Sequence, residues 1–73
     1  MRFDDAKFLA KYAPDAHALR HLLEAYGFPV PEADTASKWY RRGAIPGAWL
    51  PTLLGVLELE HGAPISVLPF LTR

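Results

Sequence analysis

Thr35, Ser37, Lys38, Arg41 and Arg42 place two hydroxyls and three cations within one short stretch. On a helical wheel, Asp34, Lys38 and Arg41 share one face, with Thr35, Ser37 and Arg42 on its flanks. Ala33, Ala36, Trp39 and Tyr40 fall in the opposite, apolar sector by the i, i+3, i+4, i+7 rule. Arg and Lys can bridge guanine O6 and N7, and Thr and Ser can reach a base edge or a phosphate. A helix that packs inward through one Trp and small residues, and shows these groups outward, has the chemistry of a DNA recognition helix. Asp34 is repelled by phosphate but can accept from cytosine N4, whereas Arg42 suits the DNA backbone. The bland alternative is a solvated face whose Arg41 and Arg42 complement the negative end of the helix dipole.

Other titratable groups offer less. His17 and His21 have the i, i+4 spacing of a metal pair, but no third ligand stands in a convincing place, so they read as surface histidines. Glu58 and Glu60 lie two apart and therefore on different faces of a helix, which speaks against paired-carboxylate chemistry. Ser37 has no nucleophile-elbow context, and there is no phosphate-binding loop or dinucleotide fingerprint. A helical domain this small also offers little room for a buried active site. The expectation is a binding protein and not an enzyme, with no catalytic residue, cofactor or metal.

A chain of 73 residues has room for one domain and one small core. Apolar residues make up 51%, and two Trp, three Tyr and four Phe supply bulk, so the core should suffice without metal or disulfides. The absence of cysteine fits a cytoplasmic protein. Asp4 and Asp5 interrupt any signal-peptide pattern, and no apolar run approaches a membrane span. Eight cations balance eight carboxylates, so any field attracting nucleic acid must be local.

The elements that must hold the cationic face read as an all-α fold of four to five short helices. Asp4 as N-cap puts Phe3 and Phe8 at the hydrophobic-staple positions of a first helix. The clearest helix runs from Pro14 to Tyr26, with Leu19, Leu22, Leu23 and Tyr26 on one side and Gly27 as its stop. Phe28-Pro29-Val30-Pro31 forms a stiff connector, and Pro31 suits the first position of the central helix, Pro31 to Arg42. Gly43 ends it. A last helix spans about Gly47 or Ala48 to His61, burying Trp49, Leu50, Leu53, Leu54 and Leu57, with Gly62 as its stop. No segment reads as a strand pair.

The run Ser37-Lys38-Trp39-Tyr40-Arg41-Arg42-Gly43-Ala44-Ile45-Pro46-Gly47-Ala48-Trp49-Leu50 resembles the S-K-W-x-x-R-G-x-I-P-x-x-W-L pattern that ends the recognition helix in helix-turn-helix domains of the phage repressor and Cro type. The likeness extends from Pro14 to Gly62. The connector Gly27 to Pro31 departs from it, being longer by about three residues than the family's tight turn. The resemblance implies a single helix-turn-helix domain over 1–73, with its core at about 14–43 and a supporting helix and apolar tail over 44–73. It further implies a transcriptional regulator whose helix 31–42 enters the major groove of double-stranded DNA through Thr35, Ser37, Lys38, Arg41 and Arg42. A protein-interaction module on the same scaffold, such as an adaptor, anti-repressor or polymerase-contacting factor, is the alternative. Net neutrality and the apolar tail favour it.

A single recognition helix reads few base pairs, so a second copy or a partner is expected. Ile65, Val67, Leu68, Phe70 and Leu71, with the exposed part of Val56–Leu59, form the expected surface for a homodimer. If the geometry follows the family, the two cationic faces lie roughly 34 Å apart, one DNA turn. Alternatively the tail folds back over the core around Trp49.

Overall fold

The first helix begins at the cap read from the sequence. In the computed structural model, which describes residues 1–72, the Asp4 carboxylate accepts from the Lys7 backbone N–H at 3.0 Å and opens α1 (Asp5–Tyr12). The staple forms as expected: the Phe3 and Phe8 rings stand 5.2 Å apart. The next helix starts later than expected. The Asp15 side chain accepts from the Ala18 N–H at 2.8 Å, which makes Asp15 the N-cap of α2 (Ala16–Ala25) and leaves Pro14 outside the helix. Pro31 is displaced in the same way. Glu32 takes the extended N-cap conformation, and the central helix α3 runs Ala33–Arg42. The freed Pro31 carbonyl accepts from Arg20 Nε at 2.9 Å, tying the connector back onto α2. Phe28 anchors the same connector on the last helix: a Cβ added at Gly55 would meet its ring at 3.5 Å.

A single 3₁₀ turn over Gly47–Trp49 precedes α4 (Leu50–His61), with Pro51 in the first turn of α4, where it costs no helical bond. The fold is all-α, with four α-helices around one core among the described residues. Leu19 and Leu23 of α2, Ala36 and Trp39 of α3, and Leu53, Val56 and Leu57 of α4 are buried, and no polar side chain among the described residues is. No helix among the described residues is long and apolar enough to cross a membrane.

The C-terminal segment departs most from expectation. After a 3₁₀ turn at Leu68–Phe70, β2 (Leu71–Thr72) pairs antiparallel with β1 (Arg2–Phe3) in the register Arg2↔Thr72 and Phe3↔Leu71. The Asp4 N–H donates to the Phe70 carbonyl at 2.6 Å. Phe70 enters the core against Phe3, Phe8 and Tyr12, with ring separations of 6.2, 5.3 and 5.9 Å. The tail therefore does fold back, but onto α1 and the N-terminal strand and not around Trp49. Of the five residues read as a self-association surface, Phe70 is buried and Ile65, Val67 and Leu71 are half-buried. Only Leu68 stands out, at 74% exposure.

Candidate functional site

Three contacts fix how α3 presents its outer face. Ala36 and Trp39 point inward, and the Trp39 ring lies 5.2 Å from that of Trp49. Trp49 sits in the 3₁₀ turn before α4, half-buried, and not within the helical stripe where the sequence reading put it. The Tyr40 hydroxyl donates to the Ala13 carbonyl at the end of α1, at 2.7 Å. At the start of α1, Asp5 Oδ2 accepts from the Ile45 N–H at 2.7 Å. Gly43 closes α3 in the left-handed conformation at φ 63°. A Cβ there would come within 3.2 Å of Ala6, so the helix stop and the close approach of α1 both call for glycine.

With the inner face so held, all five candidate residues, Thr35, Ser37, Lys38, Arg41 and Arg42, are exposed. None of them enters a side-chain hydrogen bond among the described residues. Asp34 is exposed on the same face, in the first turn of the helix. The five do not act as one group. Thr35, Lys38 and Arg42 line a groove of about 410 Å³ between α3 and the following loop, together with Trp39, Ala44, Ile45 and Pro46. Ser37 and Arg41 lie outside that groove. The part played by Ala44, Ile45 and Pro46 was not read from the sequence, where they serve only as a turn. Ile45-Pro46 after a glycine stop was the available signal, since an apolar loop leaving a polar helix must lie along something.

The histidines fall elsewhere. His21 lines a second cleft, of about 370 Å³, with Tyr12, Glu60 and His61, while His17 is exposed on α2. No group of three or more His, Cys, Asp or Glu among the described residues is placed to hold a metal ion. Beside that cleft, the Tyr26 hydroxyl donates to Glu60 at 2.6 Å, and this bond to a carboxylate raises the Tyr26 pKa.

Tyr40 gives the positioning of α3 a pH dependence. Burial first, and the charge of Asp15 second, push its phenol from 10.0 up to about 12. Folding thus favours the neutral form. The stabilisation is complete below the unfolded value near pH 10 and is lost as pH rises from there through 12. Discounted for the partial exposure of the hydroxyl, the loss should be about 1–2 kcal/mol. Denaturant melts of wild type and Tyr40→Phe should diverge below pH 10 and converge above it. Parallel curves across that window would remove Tyr40 as the source.

Comparison with protein-family models, with curated proteins and with solved structures returned no match for this chain.

Proposed function

We propose that the chain is a sequence-specific DNA-binding transcriptional regulator that lays α3 in the major groove. One observation carries this reading. A ten-residue helix is held through Trp39 on Trp49 and through Tyr40 on the end of α1, while its outer face offers Thr35, Ser37, Lys38, Arg41 and Arg42 to solvent with no side-chain hydrogen bond among the described residues. The basic residues Arg41 and Arg42 in its last turn complement the helix dipole and add a local positive field to a chain of zero formal charge. The run from Ser37 to Leu50 supports the same assignment through its likeness to repressor and Cro domains.

Roles divide by position. Arg41, central on the outer face, is assigned to a base edge, and Arg42, on the flank, to phosphate. Arg41→Ala should then cost about 1–3 kcal/mol of binding and relax preference at one base position. Arg42→Ala should weaken all sequences alike and lower the salt slope by about one. Selection of bound fragments from random DNA supplies the site, and titrations at two salt concentrations supply the slope. Binding indifferent to both substitutions would take this face out of the interface and shift the assignment to a protein-interaction module. A second copy of the chain completes the DNA reading, because one helix spans few base pairs. Leu68 and Leu59, at 74% and 58% exposure, are the large apolar side chains left for such a contact in the C-terminal third.

A further inference from the structure

The groove beside α3 joins two chemistries. Thr35, Lys38 and Arg42 follow one another at i, i+3 and i+7, so one hydroxyl and two cations form a single ridge. Facing them are Ala44, Ile45 and Pro46, with Trp39 between. No acidic residue among the described residues lines the groove, although the chain holds as many carboxylates as cations. A DNA duplex offers phosphates to the ridge but has little to fill the apolar wall.

The wall also lacks free backbone donors. The Ala44 N–H donates to the Trp39 carbonyl, the Ile45 N–H to Asp5, and Pro46 has none. A ligand here cannot add as a strand. It must be held by an apolar side chain against the wall and by negative charge on the ridge. The volume of about 410 Å³ is that of a small ligand site.

We propose that this groove binds an extended acidic peptide from a partner protein, which seats one large apolar side chain against Ala44, Ile45 and Pro46 and places carboxylates on Lys38 and Arg42. Arg42 can take a carboxylate through two parallel N–H donors, whereas Lys38 acts as a point charge. Thr35 can donate to the peptide main chain. Because the same two cations serve the DNA reading, peptide and duplex exclude one another. That exclusion rests on the DNA reading, whereas the peptide site does not.

A labelled, acetylated heptapeptide with leucine between two runs of three glutamates is the probe, followed by fluorescence anisotropy beside a control with serine at the centre. The leucine peptide should bind about ten-fold more tightly than the control, as partial burial of one leucine provides. Its binding should be lost in Ala44→Glu, which sets a carboxylate into the wall at an exposed position, and in the double variant Lys38→Gln, Arg42→Gln. Far-ultraviolet circular dichroism checks that both variants stay folded. Equal binding of the leucine and serine peptides would reduce the effect to unspecific charge attraction, and binding unchanged in Ala44→Glu would take the peptide off this groove; either result overturns the proposal. Displacement of the bound peptide by a duplex drawn from the DNA selection supports mutual exclusion. Peptide binding without any duplex binding leaves the groove assignment standing and removes the DNA reading.

Discussion

Trp39→Ala should lower stability by about 3–5 kcal/mol, the cost of a large core side chain lost together with the cavity it leaves. Trp39 is 4% exposed and is the main side chain by which α3 reaches the core, through the tilted contact with Trp49. In a domain of this size such a loss is a large share of the total and should move the thermal midpoint by on the order of 10 °C or more. Calorimetry or a circular-dichroism melt decides it. A midpoint equal to that of wild type would show that the indole does not carry the α3 contact. Trp39 also lines the groove between α3 and its loop, so the folded fraction of the variant should bind any occupant of that groove more weakly.

Phe70→Ala should be about as costly, again about 3–5 kcal/mol, although Phe70 lies three residues from the end of the sequence. It is 1% exposed and touches three aromatic rings, two of them on α1. The loss should be cooperative with the terminal ribbon, whose Phe3↔Leu71 pairing flanks the same ring. Urea titration with amide exchange at Asp4, whose N–H donates to the Phe70 carbonyl, reads both effects. An unchanged denaturation midpoint would place the tail outside the cooperative unit. The same burial changes how self-association is probed. A charge at Phe70 would unfold the monomer before it could report on a dimer, whereas Leu68→Glu alters an exposed side chain and leaves the core intact.

What could be read from the chain divides by sequence distance. The Phe3–Asp4–Phe8 staple and the Gly43 and Gly62 stops depend on neighbours within one or two turns, and they fall where expected. Trp39 was legible as core because its wheel position pairs it with Ala36. Pro14 and Pro31 were misplaced because a proline at N1 and a proline just outside the cap look alike in sequence. The Asp15 carboxylate decides the first case and the extended Glu32 backbone the second. The fate of Phe70 was hidden because its ring partners lie near the other end of the chain, and the β-ribbon has two residues per strand, too few for any alternation to show. The candidate site was half legible. The helix period exposes the five polar residues, but the wall opposite Lys38 and Arg42 is held in part by Asp5, forty residues earlier, which accepts from the Ile45 N–H.

That capture has a companion. Asp5 and Ala13 lie at opposite ends of α1, and both hold the C-terminal end of α3, Ala13 through Tyr40 in its last turn and Asp5 through Ile45 just past its stop. Two ties that pull on that end from separate points of α1 resist its rolling better than one. Since each residue of an α-helix advances about 100° around its axis, a roll of half that angle would carry Arg41 away from the centre of the outer face. The roll angle of α3 is therefore set by these two ties together with the inward packing of Ala36 and Trp39, and by none of the five exposed polar residues. On the proposed reading, a partner would meet side chains already aimed, with little orientational freedom left to lose on docking. On the same reading, changes in α1 would retune recognition without altering a single residue of the outer face of α3.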